Sequence, residues 1–405
     1  MNTIIQRQTD IMNIIKAVDI SPTMYRNAVE KYEHLASYLE EKGFDVTIYP
    51  QGSFALGTVV RPLHKGEDAV YDLDFIYMVH KHKQNIQPSE LRNEVENALR
   101  SNSVYNDRLI VDDTCFTIKY ADIGDIGFTI DIVPAADEDE WYKAQLREKS
   151  DLPHLIDTAI AIPRKEDRSY KWISNNPKGY KQWFDAINES FARYTREDYR
   201  NQLYHSNRTV FASIEEVPDD LTRTSLQRVI QILKYHRNMY YLRIKDGDKI
   251  KPISAILSTL AAEIAKSAPK TVDVFGLLEY VLNELMIYAK QLEVPRASFR
   301  DVYSTRSLLL KDGSNWTLHN PANPEDNLTD SWKDNPQAAT VFFRWIKAVY
   351  SDLITSLHKE DPEFRVSIAE AFGDKQVRKT WGSKYESVIA APILSQGRAK
   401  PWKGM

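Results

Sequence analysis

Two aspartates stand two residues apart at the start of an otherwise apolar segment, which reads YDLDFIYMV. Apolar side chains alternate through this segment and predict a β-strand from Tyr71 to Val79. Side chains two positions apart on a strand leave the same face, about 7 Å apart along it. We therefore predict a sheet that presents Asp72 and Asp74 together on one face.

A third aspartate lies inside a second apolar segment, FTIDIVPA. Asp131 stands between Ile130 and Ile132, and a charged side chain in such a strand is costly to bury without a partner. If the two strands are neighbours, three carboxylates converge, and their mutual repulsion calls for cations. Because Mg²⁺ prefers oxygen ligands, we predict that Asp72, Asp74 and Asp131 are catalytic and bind two Mg²⁺ ions, which Mn²⁺ can replace.

A glycine-serine pair precedes the first of these strands, in the segment QGSFALGTVVRP. A glycine lets the backbone approach a phosphate closely, and the following N–H and hydroxyl can donate to phosphate oxygens. Gly52 and Ser53 are therefore candidate nucleotide-binding residues, and Thr58 is a weaker candidate. Each segment alone has an ordinary structural explanation as a turn, a solvated strand end or an edge-strand aspartate. Their combination in this order favours a functional site.

The rest of the chain predicts an α+β fold. Helical patterns occupy the first 43 residues and residues 88–99, and strands are predicted at 44–48, 71–79, 108–112, 115–120 and 127–133. Residues 163–208 are polar and mixed, whereas helices dominate from Thr222 onward, interrupted by a polar loop at 320–330. We predict a catalytic lobe with a mixed sheet at 1–180, a helical lobe at 181–405 and a cleft between them. The N-terminal helices are expected to pack against both.

The composition excludes several classes of protein. The chain has 53 basic and 57 acidic residues, a net charge of −4, whereas proteins that hold long nucleic acids usually carry a basic surplus. The one cysteine, Cys115, cannot form an intramolecular disulfide or a zinc ribbon alone. No apolar stretch approaches the ~18 residues that span a bilayer, and the first residues lack the plan of a signal peptide. We expect a cytoplasmic protein without a membrane segment.

The order GSxxxGT, DxD and a separate aspartate resembles the DNA polymerase β-like nucleotidyltransferase superfamily. Within it, most of the chain is similar to the cGAS/DncV-like nucleotidyltransferases (CD-NTases) of bacterial CBASS anti-phage signalling. A more distant similarity is to the 2′-5′ oligoadenylate synthetases. The resemblance implies a polymerase β-like lobe followed by a helical lobe.

Three later segments carry the resemblance into the helical part: LQRVIQILKYH, KPISAILSTL and HNPANPEDNLTDSW. The family lysine at the place of Lys234 contacts the triphosphate, and the resemblance implies that role here. We expect Lys234 at the rim of an apolar helix face, from which it can reach a cleft. Ser254 resembles a family serine that touches the nucleotide, and Pro252 is expected at the first position of its helix. The role of the Asn-Pro loop at 319–332 is less defined.

The resemblance implies an enzyme that makes a cyclic di- or trinucleotide second messenger from nucleoside triphosphates, ATP, GTP or others, and releases pyrophosphate. It also implies a downstream effector that the product activates, and CBASS accessory proteins. The bases, the 2′-5′ or 3′-5′ linkage and the ring size stay open. Because the chain cannot carry the His/Cys zinc module of the animal DNA sensor, duplex DNA is not expected as an activator.

Two other functions use the same three acids. The chain could transfer a nucleotide to RNA, protein or another acceptor, or it could make a linear oligonucleotide. A non-enzymatic nucleotide-binding protein is disfavoured, because such a protein is expected to have lost an acid. The run His80-Lys81-His82-Lys83 is interpreted as a solvated loop rather than a metal site, and residues 395–405 as an exposed tail.

Overall fold

The computed structural model describes residues 3–42, 45–61, 63–64, 67–68, 71–123, 126–192, 196–208, 210, 221–303 and 305–386. The tail predicted at 395–405 lies outside these residues. The helices of this part of the chain are α1 (Thr3–Ala17), α2 (Pro22–Glu41), α3 (Gly52–Ala55), α4 (Pro88–Arg100), α5 (Ser103–Asn106), α6 (Glu140–Lys149), α7 (Pro177–Ala192), α8 (Arg196–Ser206), α9 (Ser225–Leu242), α10 (Ser254–Ala265), α11 (Val274–Ala289), α12 (Arg296–Val302), α13 (Gln337–Leu353), α14 (Asp361–Phe372), α15 (Asp374–Trp381) and α16 (Ser383–Glu386). The strands are β1 (Val46–Pro50), β2 (Leu63–His64), β3 (Glu67–Asp68), β4 (Tyr71–His82), β5 (Leu109–Val111), β6 (Phe116–Ile123), β7 (Ile126–Asp137), β8 (Ile160–Glu166), β9 (Ser169–Asn175), β10 (Leu310–Asp312), β11 (Asn315–Thr317), β12 (His319–Asn320) and β13 (Asn323–Asn327).

A mixed sheet forms the centre of the N-terminal part. Among the described residues it has seven strands in the order β1-β4-β7-β6-β5, and β8 pairs with both β7 and β9. Strands β4 and β7 run parallel, whereas the other pairs in this sheet are antiparallel. The mixed sheet confirms the predicted α+β class. It also places the two strands that carry the predicted acids side by side.

The two faces of this sheet have different roles because side chains alternate along each strand. On one face, Leu73 and Phe75 of β4 join a core with Leu35 of α2 and Val95 of α4. On the opposite face, β4 and β7 carry the acidic residues and continue into a smaller apolar cluster that includes Ile76. One face of the sheet is therefore covered by helices, and the other carries the acids.

The helix α9 is the central element of the C-terminal part. Its N-terminus has a capping box, in which Thr224 Oγ1 accepts from Gln227 N and Gln227 Oε1 accepts from Thr224 N. The helix is buried along most of its length and packs against α7, α10, α11, α13 and α14. Such a helix is a rigid support for any side chain that it directs toward the sheet.

The N-terminal helices contact both parts of the molecule, which confirms the prediction. Ile11 and Ile14 of α1 lie in the same core as α9, whereas Leu35 and Leu39 of α2 lie in the core of the sheet. Helix α2 begins after Ser21, whose hydroxyl accepts from Met24 N, and has a proline in its first turn. The first 41 residues thus link the two cores.

The structure corrects three local predictions. The predicted loop at 320–330 contains the short pair β12 and β13, and the polar segment at 163–208 begins with the hairpin β8–β9. The outer half of β8 is exposed and charged, so no alternation of apolar residues marks it. The run from His80 to His82 ends strand β4 instead of forming a loop. No helix in the described part of the chain is long and apolar enough to cross a bilayer.

Candidate active site

The three predicted acids lie on one face of the sheet. Asp74 on β4 is opposite Asp131 on β7, and Asp72 is opposite Thr129 two positions earlier. Opposed residues on neighbouring strands point to the same side, so the two strands bring three carboxylates together. Asp72 is exposed, whereas Asp74 and Asp131 are half-buried. The catalytic role of the three acids stays a prediction.

The charges of these acids act on one another. The pKa of Asp74 is raised to about 7, mainly by burial and also by the negative charges of Asp131 and Asp72, whereas the Lys234 charge opposes the rise. Burial also raises the pKa of Asp131, against a hydrogen bond from Thr117 that lowers it. A carboxylate whose pKa is raised by neighbouring carboxylates lies in a site that a cation would stabilise.

Gly52 brings the glycine-serine segment directly against Asp74. Its φ of +62° lies in the region that glycine favours, and a Cβ atom at this position would stand 2.5 Å from Asp74 Oδ2. A backbone hydrogen bond also joins the two segments, because Gln51 N donates to Asp74 O at 2.8 Å. The glycine therefore allows a backbone loop and a carboxylate to lie closer than any other residue would permit.

Lys234 lies under this loop and is buried, which corrects the prediction that it stands at the rim of its helix face. Its ammonium donates to Ser53 Oγ at 2.5 Å and to Thr58 O at 3.0 Å. The pKa of Lys234 is lowered to about 7, mainly by burial and also by the Arg237 charge, whereas the Asp74 charge opposes both. Because the ammonium occupies Ser53 Oγ as an acceptor, the Ser53 hydroxyl proton is available to another group.

Two glutamines on α9 hold the same loop, and the sequence analysis did not identify them. Gln227 Nε2 donates to Leu56 O at 2.9 Å, and Gln231 Nε2 donates to Val59 O at 2.8 Å. Together with Lys234 they occupy positions i, i+4 and i+7, which form one stripe on a helix. The sequence signal that could have revealed them is a polar stripe within an otherwise buried helix.

Ser254 lies in the same cavity as the glycine-serine loop. The cavity has a volume of about 320 Å³, and its lining includes Gly52, Ser53, Asp74 and Ser254. Ser254 is the first residue of α10, so the prediction that Pro252 occupies this position is wrong by two residues. The Ser254 hydroxyl also accepts a hydrogen bond from Arg237 Nη1 at 3.3 Å.

The Asn-Pro segment docks beside this cavity. Asn176, at the junction of β9 and α7, donates through Nδ2 to Ala322 O at 2.9 Å, and Asn323 donates to Ser174 O at 3.3 Å. Asn320 lines the cavity and also borders a larger one of about 910 Å³. We assign the active site to the smaller cavity because it contains Asp74 and the glycine-serine loop.

The residues present fit divalent cations, although the described residues contain no group of three or more His, Cys, Asp or Glu side chains already arranged to hold a metal ion. The donor set is three carboxylates on one face of the sheet, which suits a hard cation such as Mg²⁺. A positive charge here would relieve the repulsion that raises the pKa of Asp74. Asp72, Asp74 and Asp131 are therefore the residues that could hold the metal.

Comparisons with known proteins agree with this geometry. The sequence profile of the Second Messenger Oligonucleotide or Dinucleotide Synthetase domain (SMODS) matches residues 5–151, which include the loop and the three acids. A c-di-GMP synthase of Roseivirga ehrenbergii is 26% identical over 353 residues, which cover 86% of this chain and 78% of that protein. The cyclic dinucleotide synthase CdnG of Bradyrhizobium diazoefficiens is 24% identical over 346 residues, which cover 83% of this chain and 72% of that protein.

Solved structures share the fold over nearly the whole chain. The Bradyrhizobium diazoefficiens CD-NTase CdnG, in complex with GTP, superposes with a TM-score of 0.67 at 20% identity and covers 94% of this chain and 99% of its own. CdnC from the E. coli MS115-1 CdnC:HORMA-deltaN complex gives a TM-score of 0.52 at 14% identity, over 90% of this chain and 96% of its own. Residues 5–151 match the SMODS family, and the profile, the relatives and the shared fold together support a CD-NTase.

Proposed function

We propose that this protein joins two nucleoside triphosphates into a cyclic dinucleotide and releases pyrophosphate. The observation that carries this proposal is the contact between Gly52 and Asp74, which sets a loop suited to phosphate beside a cluster of carboxylates. The names of the two relatives, a c-di-GMP synthase and a cyclic dinucleotide synthase, support the same product class. They make GTP the first substrate to test.

In this proposal the loop and two helices bind the donor triphosphate. Ser53 donates its backbone N–H and its hydroxyl to phosphate oxygens. Lys234 donates to Ser53 Oγ, and this favours an orientation in which the Ser53 hydroxyl proton points to the phosphate. The Lys234 charge also offsets the charge of the triphosphate at close range. Ser254 approaches from the N-terminus of α10, where backbone N–H groups favour an anion.

The acids act on the reacting oxygens. Bound by Asp72, Asp74 and Asp131, two Mg²⁺ ions would supply positive charge to the α-phosphate, the attacking oxygen and the leaving pyrophosphate. The ribose hydroxyl oxygen forms a bond to the α-phosphorus, and the bond from that phosphorus to the departing pyrophosphate breaks. Asp131 takes the hydroxyl proton. Catalysis then consists mainly of positioning and charge stabilisation.

A ring requires the same reaction twice, so the linear intermediate has to be repositioned between the two bonds. We propose the cytoplasm as the place of the reaction, because nucleoside triphosphates are available there. We further propose that the cyclic product activates a separate effector protein. The family resemblance supports this last step.

Labelled GTP and ATP, supplied singly and together with Mg²⁺ or Mn²⁺, test the proposal. After phosphatase treatment, we expect a small labelled nucleotide that resists the phosphatase, because a ring has no terminal phosphate. A phosphatase-sensitive chain would instead indicate a linear synthase. Label that appears only on added RNA or protein would overturn the proposal in favour of a macromolecular acceptor.

The matched variants are two double substitutions. Asp72→Asn with Asp74→Asn should lower product formation by roughly 10³-fold or more, because the charge that a metal supplies to a transition state is worth several kcal/mol. Asp45→Asn with Asp107→Asn changes the net charge equally at two exposed positions away from the cavity and should leave the rate unchanged. Equal rates in both double variants would remove the acids from the mechanism.

A further inference from the structure

Two of the three acids accept a hydrogen bond from a threonine on the neighbouring strand. Thr129 Oγ1 on β7 donates to Asp72 Oδ1 on β4 at 2.6 Å. Thr117 Oγ1 on β6 donates to Asp131 Oδ1 on β7, also at 2.6 Å. The same interaction thus occurs twice across two different strand pairs.

The register of the sheet explains why each pair meets. Thr129 is directly opposite Asp72, and Thr117 is directly opposite Asp131. Opposed side chains leave the same face with their Cβ atoms about 5 Å apart, so their terminal oxygen atoms can form a hydrogen bond. Threonine is branched at Cβ and stiff at χ1, and Thr129 is also buried, so its hydroxyl direction is well defined.

These hydrogen bonds have a chemical consequence for the carboxylates. Each threonine hydrogen bond occupies one lone pair of Oδ1 of its acid and leaves both lone pairs of Oδ2 for another partner. A metal ligand has to be oriented, and a group that hydrogen-bonds to the ligand fixes its orientation.

We propose that Thr117 and Thr129 are positioning residues that direct the Oδ2 atoms of Asp131 and Asp72 toward the divalent cations. This inference rests on the proposed function, because it needs the three acids to bind metal. Asp74 is held differently, since its carboxylate stands against Gly52 rather than against a threonine. The threonines act on the metal site without contacting substrate.

Mn²⁺ binding tests the inference without any need for turnover. The free Mn²⁺ signal in electron paramagnetic resonance is titrated with the full chain in the presence of a non-hydrolysable GTP analogue. We expect Thr129→Val and Thr117→Val each to weaken Mn²⁺ binding about 10-fold, because loss of a group that orients a ligand typically costs 10–100-fold in metal affinity. Thr129→Ser and Thr117→Ser keep the hydroxyl and should bind within about 3-fold of the wild type.

Two controls distinguish the loss of a threonine hydroxyl at the acids from a general disturbance of the sheet. Thr47 Oγ1 hydrogen-bonds His80 Nε2 at 2.8 Å across β1 and β4, away from the acids, so Thr47→Val should leave Mn²⁺ affinity unchanged. Cys115 stands two residues before Thr117 and is half-buried, and Cys115→Ala should likewise have no effect on Mn²⁺ affinity. If a valine variant fails to fold, the alanine variant replaces it and should bind at least 5-fold more weakly than the serine variant.

Wild-type Mn²⁺ affinity in the valine variants, or in the alanine variants where these replace them, would overturn the inference. This failure is distinct from failure of the proposed function. If only the threonine inference fails, the wild type still makes a phosphatase-resistant product, and the Asp72 and Asp74 double variant still fails to make it. If the proposed function fails, neither result is obtained.

Discussion

At residue 52 the backbone has a φ of +62°, and a Cβ atom would meet Asp74 Oδ2 at 2.5 Å. The sequence predicted Gly52 as a phosphate-binding position, on the general property that glycine permits close approach. It could not predict that the nearest group is one of the acids, because that contact depends on the pairing of β1 with β4. The same residue thus serves both halves of the proposed site.

Gly52→Ala is expected to lower activity by at least 10²-fold, because displacement of a catalytic group by about 1 Å has that effect. Gly313 is a matched control, since its φ is +60° and, among the described residues other than its chain neighbours, no atom lies within 4 Å of the position that a Cβ atom would take. Both alanine variants should lose roughly 1–2 kcal/mol of unfolding free energy from the left-handed backbone, measured by urea denaturation. Normal activity in Gly52→Ala would show that the contact with Asp74 is not needed.

Nucleotide binding should depend on pH through Lys234. Its pKa is lowered to about 7 by burial and by the charges of Arg237 and Arg223, whereas Asp74 raises it. The ammonium is therefore lost as pH rises above 7, and a triphosphate binds the charged form better. We expect the dissociation constant of a non-hydrolysable GTP analogue, at saturating Mg²⁺, to increase about 10-fold from pH 7 to pH 9.

Lys234→Arg is the control for this prediction, because a guanidinium stays charged throughout this range. The variant should show a dissociation constant that changes little between pH 7 and pH 9, whatever its absolute affinity. The same pH dependence in both proteins would assign the effect to another group. A flat profile in the wild type would contradict the assignment of Lys234 to the nucleotide site.

Among the elements, the sequence predicted best the strands with regular alternation. Strands β4, β6 and β7 were expected near their observed positions, and the helix that carries Lys234 was expected as α9. The hairpin β8–β9 was missed because its exposed half carries a charged sequence, and the polar stripe on α9 was missed because its partners are backbone carbonyls. The sequence around a glutamine does not reveal which backbone carbonyl of a distant segment its side chain will contact.

Gln231→Leu tests whether α9 holds the loop in its active position. The change leaves Val59 O without its donor and should cost about 1–3 kcal/mol of unfolding free energy. We also expect GTP binding to weaken several-fold, because Val59 adjoins Thr58, which accepts from Lys234. Binding is measured by isothermal titration calorimetry with a non-hydrolysable analogue.

Gln291→Leu is the matched control for that change. Gln291 is also buried, and its Nε2 donates to Leu309 O at 2.8 Å, far along the chain from the nucleotide loop. It should lose a similar unfolding free energy and keep wild-type affinity for the nucleotide. If both variants lose affinity equally, the effect reports general instability and not the position of the loop.

At the scale of the whole molecule, an ion cluster ties the connection between α1 and α2 to the start of α9. Asp19 accepts from Arg228 Nη1 at 2.8 Å and from Arg223 Nη2 at 3.2 Å. The sequence predicted that the N-terminal helices contact both parts, but not this cluster, because Asp19 and the two arginines lie in distant parts of the chain. The domain boundary expected at residue 180 falls within α7 and stays a prediction.

Asp19→Asn is expected to cost about 3–5 kcal/mol of unfolding free energy at pH 7, because it removes the carboxylate that faces two buried guanidinium groups. Burial alone would raise the pKa of Asp19, but the charges of Arg223 and Arg228 outweigh burial and lower it. The pKa of Asp19 is lower in the folded state than in the unfolded state, where it is near 4, so the ionised carboxylate stabilises the fold above about pH 4. This contribution is lost as pH falls through the pKa of the folded state. Urea denaturation at pH 7 and pH 3 should therefore show a smaller difference between variant and wild type at pH 3.

The exposed pair of Asp312 and Arg296 is the control for this prediction. Their side chains are 2.7 Å apart and largely solvent-exposed, so Asp312→Asn should change the unfolding free energy by less than about 1 kcal/mol. A difference for Asp19→Asn that stays constant from pH 7 to pH 3 would show that its charge does not contribute to stability.

The most direct test of the account is a crystal structure with Mn²⁺ and a non-hydrolysable GTP analogue, recorded at a wavelength where manganese scatters anomalously. We predict anomalous peaks between Asp72, Asp74 and Asp131, with the triphosphate along Gly52 and Ser53. Nucleotide bound in the cavity with no manganese at the three acids, or manganese and nucleotide bound together elsewhere, would contradict it.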